Sequence, residues 1–172
     1  VDMSAMKASF LYEYHKSNKP SLRDRVFAHY ATLNKYAHTL SSIFNSATQH
    51  KFWGRIMRRQ LGIAAERSLP ALHKFTFRQW CAKNVQKLNG KVNGTSSLYL
   101  FCDEFTNYND VEIGIKTVRL LNALNYRVLI TDHADSGRAA ISKGFLGQAQ
   151  RSAIKNIDVF SSLINEDCPL VG

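Results

Sequence analysis

Two short polar segments carry most of the side chains that could do chemistry. Residues 102–109 (CDEFTNYN) supply carboxylates, amides and a phenol, and residues 132–138 (DHADSGR) supply an imidazole, a hydroxyl and a guanidinium. Carboxylates and an imidazole, as in Asp103, Glu104 and His133, are ligands for zinc or iron, although capping or bracing a loop is the commoner role of such residues. We therefore predict a site that binds no metal and contains no assigned catalytic residue. Its candidate residues are Glu104, Asn107, Tyr108, His133, Asp135, Ser136, Gly137 and Arg138.

The sequence lacks the local signatures of common catalytic and nucleotide-binding sites. It contains no GxGxxG, no GxxxxGK[ST] and no GxSxG, which argues against dinucleotide binding, P-loop chemistry and α/β-hydrolase catalysis. A histidine, an aspartate and a serine do lie within residues 133–136. Groups this close in one loop rarely reach the geometry of a catalytic triad, so nucleophilic catalysis is disfavoured.

Each polar segment follows a segment with the pattern of a buried strand. Residues 97–102 (SLYLFC) and 127–131 (RVLIT) are apolar on both faces, which is typical of strands in a parallel sheet. Between them, residues 109–124 carry a helical apolar stripe, with Asn109 and Glu112 as a capping box and Asn125 as a left-handed cap. Because ligands bind beyond the carboxyl ends of parallel strands, the two polar segments should be neighbours.

The remaining chain is predicted to be mostly helical. Apolar residues recur at helical steps on both sides of Pro20, and residues 50–63 (HKFWGRIMRRQLGI) form a basic amphipathic helix. Further helix is expected over 139–163 with a break near 144–147, and a third strand begins in CPLVG. The predicted fold class is α/β: an N-terminal helical region, then a small parallel-sheet three-layer αβα (Rossmann-like) unit. The Gly- and Asn-rich residues 87–97 place the boundary between a region 1–90 and a region 91–172.

Charge is distributed unevenly along the chain. Residues 1–96 contain 16 Lys and Arg against 4 Asp and Glu, whereas residues 97–172 contain 7 against 9. A basic region with interleaved aromatic residues is also found in nucleic-acid-binding proteins, but no recognised binding motif accompanies it here. Three scattered cysteines exclude a disulfide framework, and no apolar run approaches the roughly 20 residues of a membrane span. We expect a soluble, cytoplasmic protein for which nucleic acid is a disfavoured partner.

The residues around the polar segments resemble a known family. FTNYND and GIKTVRLLNALNYRV, with SGRAAISKGFLGQAQRSAIKN, are similar to the cysteine-rich domain of the glycolate oxidase iron–sulfur subunit, the anaerobic glycerol-3-phosphate dehydrogenase iron–sulfur subunit and the heterodisulfide reductase B subunit. FLYEYHKSNKPSLRDR and LGIAAERSLPALHKFTFRQW resemble the segment that joins the ferredoxin-like and cysteine-rich domains in fused D-lactate or glycolate dehydrogenases. The resemblance covers nearly the whole chain.

The resemblance implies a module of a larger oxidoreductase that is inactive alone. The family has a cysteine just before its F/Y-x-N-Y run and a Cys-Cys pair just before the glycine of its GR..ISKG run, where this sequence has Glu104, Asp135 and Ser136. Oxygen ligands are ill suited to an iron–sulfur cluster, so the chain itself is expected to bind no cofactor. The full-length protein is expected to carry FAD and iron–sulfur clusters. The module would pack on the flavin and ferredoxin-like domains of its parent chain, with its own cysteine-rich-type repeat truncated at the C-terminus.

Two alternative functions stay open beside this one. The first is a small free-standing anion-binding α/β enzyme that uses His133 and Arg138 near a helix N-terminus, and the second is a basic nucleic-acid-binding protein. The fragment hypothesis also predicts exposed apolar surfaces and hence self-association. The basic amphipathic helix adds peripheral contact with the inner face of a membrane as an expectation. The residues predicted to be exposed are Phe52, Trp53, Met57, Leu170 and Val171.

Overall fold

The computed structural model describes residues 2–172 and divides into two compact units. The first unit contains the chain up to residue 72 together with residues 136–154, and the second contains residues 73–135 and 155–172. The boundary predicted near residue 90 lies inside the second unit. No helix within residues 2–172 combines the length and the apolar character that crossing a membrane requires.

The first unit is helical. Asp2 caps α1 by accepting from the backbone N–H groups of Ser4 and Ala5, and Ser21 caps α2 by accepting from that of Asp24. The sequence favours continuous helix after Pro20, but the chain turns at His29 (φ −97°, ψ 20°) and forms two short helices. The helices of this unit are α1 (Met3–Ser17), α2 (Leu22–Ala28), α3 (Tyr30–His38), α4 (Ser41–Gln49), α5 (Lys51–Gln60), α9 (Arg138–Ser142) and the first part of α10 (Leu146–Phe160).

The second unit contains a three-stranded parallel sheet. Its elements are α6 (Phe77–Asn89), β1 (Ser97–Leu100), α7 (Glu104–Tyr108), α8 (Val111–Ala123), β2 (Arg127–Leu129), the end of α10 and β3 (Leu170–Val171). The strand order is β2-β1-β3, and both pairings are parallel. In register, Leu98 lies opposite Val128 and Tyr99 lies opposite Leu170. The predicted α/β class and the parallel pairing of the first two strands are confirmed, although each strand ends two residues earlier than predicted.

Alternate residues of β1 enter different apolar layers. Leu98, Leu100 and Cys102 belong to one buried cluster with residues of α6, α8 and β2. On the opposite face, the rings of Tyr99 and Phe101 lie 6.3 and 6.1 Å from the ring of Phe160. Both faces of the central strand are therefore covered, as its continuous apolar pattern predicts.

The helix caps predicted from the sequence are only partly confirmed. The capping box predicted at Asn109 is wrong: α8 begins at Val111, and its N-cap is Asp110. A complete capping box instead starts α6, where Thr76 and Gln79 exchange side-chain and backbone hydrogen bonds. Asn125 has φ 65°, which confirms the predicted left-handed residue after α8.

The predicted apolar exposure is confirmed for part of its residue set. Phe52 and Trp53 have 59% and 57% of their surface exposed. Met57, Leu170 and Val171 are half-buried instead. The exposed apolar surface is therefore concentrated on α5 rather than at the β3 edge.

Candidate functional site

The candidate site lies where β1 and β2 end, at the carboxyl edge of the sheet. The chain leaves β1 through Asp103, whose Oδ1 accepts from the Thr106 N–H at 2.7 Å and so caps α7. This cap places Glu104 at the first position of α7, with only 2% of its surface exposed. Asn107 is also buried. Two of the candidates on the first polar segment are thus interior residues rather than surface ones.

Arg78 joins the two polar segments, and it is not among the residues predicted for the site. Its Nη1 donates to Asp132 Oδ1 at 2.7 Å and to the Thr131 carbonyl at 3.2 Å. Its Nη2 donates to the His133 carbonyl at 3.2 Å, and its backbone N–H donates to Asn107 Oδ1 at 3.1 Å. The only signal in the sequence is its place in the first turn of α6, just after Thr76, which does not reveal these partners.

His133 is held in one neutral form. Its Nε2 accepts from the backbone N–H of Cys102 at 3.1 Å, which requires an unprotonated nitrogen. The proton therefore sits on Nδ1, which donates to the Ala134 carbonyl at 2.7 Å. The ring stacks on Phe101 with centroids 4.2 Å apart. Burial lowers the pKa of His133 below its usual value, in agreement with a neutral ring whose two nitrogens are both committed.

Burial and the nearby charge of Asp135 both act on the phenol of Tyr108. Burial raises the pKa of the Tyr108 phenol, and the carboxylate of Asp135 adds a smaller contribution in the same direction. The backbone carbonyl of Tyr108 accepts from the His73 N–H at 2.7 Å. The carbonyl of Asp135 accepts from Asn156 Nδ2 at 3.2 Å. A tyrosine with a raised pKa stays protonated at neutral pH and is a poor proton acceptor.

The cysteines near this edge are buried neutral thiols. Burial raises the pKa of Cys81 to about 12 and that of Cys102 to about 11, although the positive charge of Arg78 opposes both shifts. A thiol rather than a thiolate is the wrong form for a nucleophile or a metal ligand. No cluster of three or more His, Cys, Asp or Glu side chains suited to a metal ion occurs within residues 2–172.

The other three candidates belong to the first unit. Ser136 Oγ accepts from the backbone N–H of Arg138 at 3.3 Å. Gly137 has φ 75°, a conformation that favours glycine, and precedes α9. Arg138 is the first residue of α9, a helix of five residues. The structure therefore connects Asn107 and His133 through Arg78, and places Ser136, Gly137 and Arg138 in a different unit.

The residues of this edge do not fit an iron–sulfur cluster. Such clusters take four cysteine thiolates, and the chain contains three cysteines in all. Two of the three are the buried thiols of Cys81 and Cys102, and Cys168 lies just before β3. The positions that correspond to cysteines in the resembling family offer only oxygen ligands.

Comparison with known proteins relates the chain to two dehydrogenases. No protein-family model matches it, and no solved structure matches it significantly. It is 28% identical over 145 residues to the C subunit of the anaerobic glycerol-3-phosphate dehydrogenase of Escherichia coli, covering 84% of this chain and 36% of that protein. It is 24% identical to the D-2-hydroxyglutarate dehydrogenase of Escherichia coli and 22% identical to that of Pseudomonas putida. These alignments cover the whole chain but only 17% and 18% of the two proteins, so the chain is similar to a limited part of each dehydrogenase.

Proposed function

We propose that this chain is a non-catalytic module of a multidomain flavin- and iron–sulfur-dependent dehydrogenase that acts on a 2-hydroxy acid of the D-lactate or glycolate type. It packs on the flavin and ferredoxin-like domains of its parent, where the chemistry takes place. The similarity to parts of two dehydrogenases supports the general class. The substrate class and the cofactors rest on the family resemblance of the sequence.

The proposal rests on one observation, which is that hydrogen bonds within the chain occupy the polar groups of Arg78 and His133 at the carboxyl edge of the sheet. A reactive site needs a group that is free to accept or donate a proton, bind a metal or attack a substrate. Here the guanidinium of Arg78 is committed to two backbone carbonyls and a carboxylate. Both ring nitrogens of His133 are bound to backbone groups. The polar groups at this edge therefore brace the fold, as expected of a module whose catalytic partners lie elsewhere.

The test is anaerobic loading of the purified 172-residue chain with iron and sulfide, followed by visible absorption and iron analysis. We expect iron and sulfide far below one cluster per chain, without the charge-transfer bands of a cluster. Traces bound by the three cysteines should disappear in a variant with every cysteine replaced by serine, which serves as the control for adventitious iron. A stoichiometric cluster in the unmodified chain would overturn the proposal.

A second assay addresses catalysis. The chain is mixed with an artificial electron acceptor and D-lactate, glycolate or D-2-hydroxyglutarate in turn, and acceptor reduction is followed. We expect no reduction above the rate without protein, because no group at the sheet edge can take a hydride or an electron pair from the substrate. Substrate-dependent turnover by the chain alone would replace this proposal with the free-standing enzyme.

A further inference from the structure

The Gly- and Asn-rich residues 87–97 contain the same dipeptide twice. Asn89 precedes Gly90 at the end of α6, and Asn93 precedes Gly94 in the loop that leads to β1. An asparagine before a glycine is open to attack on its side chain by the next backbone nitrogen, since glycine has no Cβ to hinder the approach. Because the two pairs share this local chemistry, their surroundings in the fold decide which of them reacts.

Asn89 is restrained at both groups that would have to react. Its Nδ2 donates to the Val128 carbonyl at 2.8 Å, and its Oδ1 accepts from the Val128 N–H at 3.0 Å and from Asn122 Nδ2 at 2.9 Å. The N–H of Gly90 donates to the Gln86 carbonyl at 3.0 Å. The amide of Asn89 cannot turn towards the nitrogen of Gly90 until these hydrogen bonds open, so this pair is protected.

Asn93 has no such restraint. It is exposed, and residues 92–96 form neither helix nor strand. Within residues 2–172, no hydrogen bond involves the Asn93 side chain or the Gly94 N–H. The amide carbon and the attacking nitrogen can therefore approach each other, and water can reach the product that they form.

We propose that Asn93 is a site of spontaneous deamidation, which converts it into a mixture of aspartate and isoaspartate. The nitrogen of Gly94, after losing its proton to solvent, forms a bond with Cγ of Asn93, and the bond from Cγ to Nδ2 breaks with release of ammonia. Water then opens the resulting cyclic succinimide. Opening at Cγ gives aspartate, whereas opening at the backbone carbonyl gives isoaspartate, so the net reaction consumes water and releases ammonia.

The packing of the loop keeps a glycine at position 94. An added Cβ there would collide with the backbone carbonyl oxygen of Asn125, in the turn after α8. A larger residue, which would slow the attack, therefore does not fit without a shift of the backbone. The reactive dipeptide follows from this close approach and from none of the residues at the sheet edge, so the inference stands apart from the proposed function.

Isoaspartate at position 93 would strain the connection between α6 and β1. Its backbone runs through the side-chain methylene, so the chain between residues 92 and 94 becomes longer. Val92 is only 7% exposed and Gly94 packs against Asn125, so both neighbours are fixed and leave the added length little room. Ordinary aspartate adds a charge but no length. We therefore expect the isoaspartyl form to be the less stable of the two products.

The test is incubation of the native 172-residue chain at slightly alkaline pH in heavy-oxygen water, followed by digestion in ordinary water and mass spectrometry. The heavy label marks only deamidation that took place during the incubation. Trypsin cleaves after Lys87 and Lys91, so Asn89 and Asn93 fall in different peptides. We expect Asn93 to react and Asn89 to react on the order of 100-fold more slowly, because three hydrogen bonds of ordinary net strength must open first.

Incubation in concentrated guanidinium chloride is the matched control. Unfolding opens the hydrogen bonds of Asn89, so the two asparagines should then react at similar rates. Equal rates in the native chain, an unreactive Asn93, or a difference that persists in the unfolded chain would overturn the inference.

Two substitutions at residue 93 complete the design. Asn93→Gln keeps an amide but lengthens the side chain, which disfavours cyclisation. After incubation it should lose most of the methyl uptake that a protein-isoaspartate methyltransferase catalyses from S-adenosylmethionine, and unchanged uptake would refute the site. Asn93→Asp has the charge without the added length, so the purified isoaspartyl form should unfold at a lower denaturant concentration than this variant. Equal midpoints would refute the strain.

Discussion

Replacing Arg78 with methionine should destabilise the second unit strongly, whereas replacing its ion-pair partner Asp132 with asparagine should not. The two side chains are 2.7 Å apart, which invites the view that the salt bridge is what matters. The side chain of Asp132 is fully exposed, however, and that of Arg78 is only 25% exposed. Exposed ion pairs contribute little to stability, so the important partners of Arg78 are its two backbone carbonyls.

The expected magnitude follows from those carbonyls. Methionine keeps most of the aliphatic stem of Arg78 but leaves the carbonyls of Thr131 and His133 without this donor. An unsatisfied buried acceptor costs about 1–3 kcal/mol, and the lower half of that range applies here because Thr131 and His133 are only half-buried, so that water can reach their carbonyls in part. Arg78→Met should therefore lower the free energy of unfolding by about 2–4 kcal/mol. Asp132→Asn retains an oxygen acceptor and should leave it unchanged within error.

The assay is urea unfolding followed by the fluorescence of Trp80, which packs against the core of the second unit. Trp53→Phe removes the other tryptophan, so that the signal reports this unit alone. With a slope of roughly 1–2 kcal/mol per molar urea for a unit of this size, the midpoint of Arg78→Met should fall by about 1 M or more. Equal losses in the arginine and aspartate variants would show that the ion pair, and not the carbonyls, holds the loop.

Because burial lowers the pKa of His133 below its usual value of 6.5, the unfolded chain takes up this proton first as pH falls. The free energy of unfolding should therefore decrease as the pH falls from about 6.5 to below the pKa of His133 in the folded chain. The decrease should be smaller in His133→Gln, and an identical pH profile for both proteins would contradict the buried neutral ring. In the native chain at about pH 8, Cys168 should react with an alkylating reagent while the two buried thiols do not, and rapid labelling of all three would refute their protection. A methyl group at Gly114 would lie 2.8 Å from the Phe77 ring, so Gly114→Ala should lower the free energy of unfolding by about 1–3 kcal/mol, measured by thermal unfolding. At the control position Gly147 a methyl group has space, so Gly147→Ala should leave the stability nearly unchanged. Equal changes in stability for the two variants would show that the contact at Gly114 relaxes easily.

The parallel sheet could be predicted from the sequence because its signal is local. Residues 98–102 and 128–130 are apolar without interruption, and the helix between them has an apolar stripe at helical spacing. Asn125 likewise tolerates a left-handed conformation, and it adopts one. Two further predictions are confirmed: the helix after residue 138 is interrupted between α9 and α10, and a third strand forms near the C-terminus. Both have local signals, the first in glycines and the second in a short apolar run. Each predicted strand extends two residues beyond the observed one, because the apolar pattern continues past the last residue that pairs with a neighbouring strand.

The missed features depend on contacts between distant residues. Arg78 binds groups 53 to 55 positions away, and nothing near it in the chain indicates that destination. The capping box at Thr76 is an exception, because its Thr-x-x-Gln spacing is visible in the sequence. For α5, the amphipathic pattern indicates which residues are apolar but not which side packs. That choice depends on Gly54 meeting Thr48, a tertiary contact.

The hydrogen bonds at the sheet edge also explain how the two polar segments, residues 102–109 and 132–138, stay ordered. Loops that leave neighbouring strands lose conformational entropy when they are fixed, and something must offset that cost. A shared metal cluster can do so in one step, because several loops contribute ligands to one centre. In this protein, Arg78 stabilises the two segments by forming hydrogen bonds with both of them. His133, which belongs to the second segment, accepts a hydrogen bond from Cys102 at the start of the first. Since these groups achieve order by saturating their own hydrogen bonds, they are poorly suited to reversible chemistry. A sheet edge stabilised in this way is therefore what the proposed function expects, since it assigns the redox chemistry to other domains.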